Sequence, residues 1–209
     1  MKSPVIAIAG NARSGKDTLG KAWIKALNNN GIRAKRFAFA DELKKSTDEF
    51  LKKELGISAF TQDEEEKAII RPFLVFWGTE VMRKRDDNCW VGRLEKELDT
   101  AEEPSVAIIT DLRFYNELEW AKARPDSYTY MIMREGVLPA NEYEANQNGI
   151  LASAVDASST LSTITDQALY EAAAEILLEQ LIPIETIAQW RVTYPLSKKS
   201  KTTATSKVS

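Results

Sequence analysis

The chain begins with an unbroken apolar run, Val5-Ile6-Ala7-Ile8-Ala9, of the length of a strand buried on both faces. A helical pattern follows from Gly15 to about Leu27, and Asn28-Asn29-Asn30-Gly31 supplies its stop. Ile32 to Phe39 alternates in places, with Phe37 and Phe39 on one face, and predicts a second strand. Asp41 is placed to cap a helix through Leu43, Thr47, Phe50, Leu51 and Leu55, which Gly56 ends. Asp63-Glu64-Glu65-Glu66 reads as a solvated first helical turn, favoured by the helix dipole, rather than a metal site. Pro72 suits the first turn of a further helix carrying Phe73, Phe76, Trp77, Val81 and Met82.

Another helix is predicted from about Trp90 to Leu98. Ser105 to Asp111 is a short buried strand ending in an acid. A short helix over Asn116 to Ala123 and a strand over Tyr128 to Met133 come next. From Glu135 to Thr160 the periodicity is weak, as in a long excursion or lid. Leu161 to Ile164 would be a last short strand, and Asp166 would cap a helix to about Leu181. Strands alternating with helices predict an α/β fold: three layers, with a mainly parallel central sheet. The expected organisation is a single domain over 1–182. Within it, about 41–100 is a helical region and about 135–160 the lid-like excursion. Residues 183–209 would be a C-terminal extension.

Between the first strand and its helix lies Gly10-Asn11-Ala12-Arg13-Ser14-Gly15-Lys16-Asp17-Thr18. A buried strand, a turn with two glycines, a lysine and a helix is the layout of a phosphate-binding loop. Gly10 and Gly15 let the backbone approach a polyphosphate closely, so that successive N–H groups face its oxygens. The helix that follows turns its positive end to the same anion. Lys16 adds a mobile charge. Asp17 stands where the usual pattern has Ser or Thr to hold Mg²⁺; its carboxylate can hold the metal, and Thr18 supplies a hydroxyl. A plain glycine turn with a solvated lysine is the weaker reading.

Composition removes several alternatives. The 209 residues, 44% hydrophobic and 28% charged, fit a soluble globular protein, and a net charge of −3 argues against general nucleic-acid binding. No apolar run has the length of a membrane span and no leader precedes the first strand, so a cytoplasmic protein is expected. Cys89 is the only cysteine, which excludes an intrachain disulfide, and beside Trp90 it reads as a small buried residue rather than a nucleophile. There is no histidine, so His triads, His bases and the common zinc sites are excluded. From Leu196 the sequence is Ser, Thr and Lys without an acid, as in a disordered tail; a nucleic-acid arm is the sharper alternative.

Asp111 ends its strand where a nucleotide-binding α/β fold places a second Mg²⁺-organising carboxylate, although strand-ending acids also serve simply in turns. Arg71, Arg83, Arg85, Arg113 and Arg134 fall near element ends or on the Trp77 helix, as phosphate ligands or as surface ion pairs. Transfer to a phosphate acceptor fits the missing histidine. A nucleoside monophosphate has a second pKa near ~6, so its attacking oxygen is already largely deprotonated at neutral pH.

Together these stretches resemble the phage-type deoxynucleoside monophosphate kinases. The matching pieces are the Gly10–Thr18 loop, Phe39-Ala40-Asp41-Glu42-Leu43-Lys44 and Trp77-Gly78-Thr79-Glu80-Val81-Met82-Arg83. They continue with Asp87, Trp90-Val91 and Asp111-Leu112-Arg113-Phe114-Tyr115-Asn116-Glu117. The resemblance implies a P-loop NTPase-type kinase with a helical substrate-binding insertion and a lid. It would move the γ-phosphoryl of ATP, with Mg²⁺, directly onto a deoxynucleoside monophosphate. Gly10–Thr18 would hold the ATP phosphates, and Phe39, Asp41, Lys44, Arg71, Trp77 and Arg83 would face the monophosphate. Asp17, Thr18 and Asp111 would hold the metal. Lys16, Asp17, Arg113 and Arg134 would serve catalysis. The implied setting is a cytoplasm, that of the host if phage-encoded, with a homodimer allowed and no membrane or stable nucleic-acid partner. The rivals are a P-loop kinase for another small phosphorylated acceptor or for dephospho-coenzyme A, and a nucleotide-binding switch with little turnover.

Overall fold

The computed structural model describes residues 2–139, 142–161 and 167–196. Five strands are present in it: β1 (Val5–Ala9), β2 (Ala34–Phe37), β3 (Val106–Leu112), β4 (Tyr128–Arg134) and β5 (Ala157–Leu161). The helices are α1 (Lys16–Asn29), α2 (Phe39–Leu55), α3 (Glu64–Val75), α4 (Cys89–Asp99), α5 (Tyr115–Lys122), α6 (Glu142–Ala154), α7 (Gln167–Leu181) and α8 (Ile184–Thr193). The strands form one sheet of order β2-β3-β1-β4-β5 with every pairing parallel. β1 lies at its centre, which is why its five residues are all apolar and fully buried.

Alternation along the strands divides the interior into two cores. Ile6, Ile8, Ile108 and Ile132 face α1, α7 and α8, where Trp23 donates its indole N–H to the Ala174 carbonyl at 2.7 Å. Val5, Ala7, Ala107 and Ile109 face α4, α5 and α6. The chain leaves β1 toward one face and β3, its neighbour, toward the other. Loops that part in this way open a crevice at the strands' carboxyl ends. A third, smaller core of Leu51, Ile57, Ala59 and Ile70, with Phe73 and Leu74 against it, belongs to α2 and α3.

Several boundaries differ from the sequence reading. Asp41 does not cap α2: the helix starts at Phe39 behind Ala38, and Asp41 lies in its first turn, paired with Arg36 at 2.7 Å. The first N–H groups find their acceptor on β3 instead, as described below. Pro72 lies inside α3, which Asp63 caps through two backbone N–H groups. The helix tolerates the proline because Ala68, four residues back, is exposed and its carbonyl can turn to water. α3 then continues into a π-helical segment, Phe76–Arg83. The excursion after β4 contains α6 and then β5, so the last strand comes earlier than Leu161–Ile164; residues 162–166, Asp166 included, lie outside the described residues. α8 was not legible in the pattern at all. Its Trp190 joins the first core, and Pro195 bridges to Ile32. The tail from 197 also lies outside the described residues.

α1 lies so close to β3 that a Cβ on Gly20 would meet the Thr110 methyl at 2.5 Å. Gly20→Ala is therefore expected to cost about 1–3 kcal/mol by overpacking, read as a lower denaturant midpoint. An unchanged midpoint would mean that α1 can slide away from the sheet.

Candidate active site

The loop after β1 is built for close approach. Gly10 has φ +144°, and a Cβ there would lie 2.2 Å from the Ile132 carbonyl oxygen, so β4 leaves no room for a side chain. Gly15 begins α1 with φ +99°, and Arg13, exposed at the tip, has φ +66°, a left-handed conformation costly for a side chain. The loop partly satisfies itself: Lys16 Nζ donates to the Gly10 and Asn11 carbonyls at 2.7 and 2.6 Å. Lys16 is thus buried across its own loop rather than solvated. The Ser14 hydroxyl, on a residue only 3% exposed, is buried without a partner. A cradle of glycines, a lysine and an orphaned hydroxyl fits a polyphosphate that would occupy these donors.

Asp17 and Thr18 follow in the first turn of α1, both exposed. The Asp17 carboxylate accepts from Thr110 Oγ1 at 2.6 Å, which ties the helix to the end of β3. The β1–β3 register slips here: Ala7 faces Ile109, yet Ala9 faces Leu112. This bulge returns Leu112 to the second core and leaves Asp111 aimed at the start of α2. Asp111 accepts from the Phe39 and Ala40 N–H groups at 3.1 and 2.8 Å. Burial pushes its carboxyl up, against the pull of those two N–H groups. Asp17, Thr18 and Asp111 carry oxygens of the kind Mg²⁺ takes beside a polyphosphate, but Asp17 is bonded to Thr110 and Asp111 to the start of α2. Among the described residues no cluster of three or more His, Cys, Asp or Glu side chains forms a cage of its own.

Downstream of Asp111, Glu117 points inward while Arg113, Tyr115 and Glu119 stay exposed. Glu117, 1% exposed, pairs with Arg83 and accepts from the Arg113 and Phe114 N–H groups at 2.9 and 3.1 Å. Burial outweighs the Arg83 charge and raises the Glu117 carboxyl to about 7. The Arg83 guanidinium also donates to the Asp87 carbonyl at 3.1 Å and lies 3.8 Å from the Phe114 ring centre. Asn116 donates to the Asp87 carbonyl and to Asn88 Oδ1. The sequence reading gave Glu117, Asn116 and Thr110 no role. Their signal was their place inside the 110–117 stretch, but which way each side chain points depends on the bulge.

The other expected residues are dispersed. Phe39 was expected to face substrate, but its ring is 4% exposed in the second core, edge-on to Trp120. Lys44 sits 5.6 Å from the Phe60 ring centre, and Arg71 is exposed on α3. Trp77 stacks on Phe73, which stacks on Phe50, so this aromatic stripe packs between helices. Arg113 is exposed beside Asp111, whose carboxylate feels its charge. Arg134 ends β4, and its charge reaches the buried Tyr170 hydroxyl on α7, which lies near Gly15. Burial raises the Cys89 thiol, which keeps it protonated and unreactive. A cleft of about 510 Å³ opens between the π-helical segment, α5 and α6. Arg83, Lys84, Phe114, Tyr115 and Gln147 line it, with the acids Glu80, Asp87 and Glu119. Next to Gln147, Asn148 donates to the Asn11 side chain of the phosphate loop, so α6 borders both loop and cleft.

The sequence profile of a family described as phosphomevalonate kinase matches residues 8–127, from within β1 to the approach to β4. The chain belongs to that family. This makes it a P-loop protein of a phosphotransferase family and leaves its own acceptor open. No curated protein matches the chain. Two solved structures are loosely similar. TT1252 from Thermus thermophilus has 15% identity and a TM-score of 0.43, covering 86% of this chain and 98% of the other. A gluconokinase from Sinorhizobium meliloti 1021 has 15% identity and a TM-score of 0.41, covering 85% and 94%. No helix among the described residues is long and apolar enough to cross a membrane.

Because the folded Glu117 pKa of about 7 lies above its ordinary 4.5, the folded protein holds this proton more tightly than the unfolded chain. Its stabilising contribution is complete below the ordinary value and is lost as pH rises to about 7. The stability of the wild type relative to Glu117→Gln should therefore fall between pH 5 and 7, whatever the constant offset between them. Parallel melting-temperature curves for the two proteins would contradict the shift.

Proposed function

We propose that the protein is a kinase that transfers the γ-phosphoryl of ATP to a phosphate monoester, and that the monoester is a deoxynucleoside monophosphate. The observation that carries the acceptor reading is the cleft beside the phosphate loop. Its volume lies in the range of small-molecule sites, and it sets two cations, Arg83 and Lys84, beside the aromatic rings of Phe114 and Tyr115. Tyr115 is 46% exposed and offers a face to a planar base, which an aliphatic acceptor would not use. The motifs shared with the phage-type kinases support the same reading. The phosphomevalonate kinase profile favours a second acceptor, phosphomevalonate, which is also a phosphate monoester. Both readings ask the same chemistry of the site.

That chemistry needs position and charge more than a base, because the attacking oxygen of a monoester dianion carries no proton to remove. The loop amides and Lys16 would hold the donor phosphates, with Lys16 leaving the Gly10 and Asn11 carbonyls for the ligand. Arg113 and Arg134, at the ends of β3 and β4, would neutralise the transferring group. Asp17, Thr18 and Asp111 would hold Mg²⁺, which supplies charge neutralisation at the phosphates when bound. The acceptor phosphate would compete with Glu80 for Lys84, which pairs with Glu80 at 2.6 Å, and would draw on the Arg83 donors that Glu117 does not take. Closure of α6, whose neighbours Gln147 and Asn148 face cleft and loop, would keep water from the phosphoryl group.

A panel of the four common dNMPs, the corresponding NMPs, phosphomevalonate and dephospho-coenzyme A, each with ATP and Mg²⁺, tests the assignment. Highest kcat/KM on a dNMP is expected. Turnover of phosphomevalonate alone would move the protein to the second reading, and nucleotide binding without any transfer would make it a switch.

Lys16→Met should lower kcat by at least about 100-fold, the loss typical of one charge-stabilising donor. A near-normal kcat would leave the lysine a purely local role on its loop carbonyls.

A further inference from the structure

One short turn grips both ends of the helical unit formed by residues 39–88. At the entry, Asp111 accepts from the first N–H groups of α2, at Phe39 and Ala40. At the exit, Glu117 pairs with Arg83, and the Phe114 ring lies 3.8 Å from the same guanidinium. Asn116 donates to the Asp87 carbonyl at 2.9 Å and to Asn88 Oδ1 at 3.0 Å. Just before the turn, Thr110 holds Asp17 of the phosphate-loop helix. Between its two ends Leu51, Ile57, Ala59 and Ile70 form a small core, and Phe39, Leu43, Trp77 and Met82 pack against the second core.

We infer that residues 111–117 are a clasp that positions residues 39–88 against the phosphate loop, with Asn116 and Glu117 acting as positioning residues for the acceptor. Water could satisfy these same groups if they only ended helices. Instead a fully buried carboxylate is kept in place, and it reaches across to a different helix. The bonds join segments 28 to 72 residues apart in sequence and leave the cleft between them. Loosening the exit should therefore widen or tilt the acceptor cleft while leaving the donor loop, rooted on β1 and β4, as it was. The inference rests on the acceptor reading above for the meaning of the cleft, but not for the existence of the clasp.

The test compares the wild type with Asn116→Ala and Glu117→Gln in two measurements. Asn116 is only partly buried, so its variant folds even if Glu117→Gln does not. The first measurement is amide hydrogen exchange without ligands, where faster exchange is expected over residues 83–88 and unchanged protection in α1 and α7. The second is steady-state kinetics with whichever of the four common dNMPs or phosphomevalonate the wild type turns over. There kcat/KM for the acceptor should fall about 10- to 100-fold, the scale of an ångström misplacement, with the KM for ATP held within about twofold. Faster exchange without a selective acceptor loss would overturn the inference by making the turn merely structural. An acceptor loss without faster exchange would overturn it by making Asn116 a direct ligand. If the wild type turns over none of these, the acceptor reading has failed, and the exchange result alone decides whether the clasp exists.

Discussion

Two adjacent residues on β3 fix the two halves of the site. Thr110 faces one side of the sheet, where its hydroxyl binds Asp17 and its methyl lies against Gly20, and so it sets the depth and angle of α1 and of the phosphate loop. Asp111 faces the other side and takes the first N–H groups of α2. Strand alternation alone turns neighbours to opposite faces. The bulge that these two residues form opposite Ile8 returns Leu112 to the core and frees the chain to enter the 113–117 turn. The relative placement of donor loop and acceptor unit is thus a property of one strand end, not of either unit.

Much of this was legible in the sequence. The loop announces itself because a buried strand, two glycines and a lysine serve one purpose in a fixed order. The parallel sheet follows from apolar runs alternating with helical periods. What escaped the sequence is whatever depends on a long-range partner. Asp41 had the chemistry and spacing of a cap, but Asp111, distant in sequence, supplies the acceptor for that helix. Pro72 resembled a helix start because the pattern cannot show that the carbonyl it orphans faces water. Phe39 looked like a substrate contact and packs against Trp120, while α8 needed the first core to be seen before Trp190 made sense. Glu117 gave no local sign of carrying a raised pKa, since burial and the Arg83 partner both come from tertiary structure.

The charges of the site are paired within the protein. Lys16 rests on its own loop, Arg83 on Glu117, and Lys84 on Glu80. On the proposed function, a phosphate oxygen would have to displace or share these partners. A protein with no histidine can still run phosphoryl transfer at neutral pH under these conditions, provided that the acceptor oxygen needs no base. The proposed phosphate acceptor meets that condition, whereas a hydroxyl acceptor would call for a positioned carboxylate as base.

The most direct test is ³¹P NMR of the reaction with ATP, Mg²⁺ and the best acceptor. The account predicts a pair of mutually coupled resonances from a new diphosphate on the acceptor, growing as the acceptor's monoester signal declines. An uncoupled resonance from a new monoester, with the acceptor's own phosphate unchanged, would mean transfer to a hydroxyl and would contradict it.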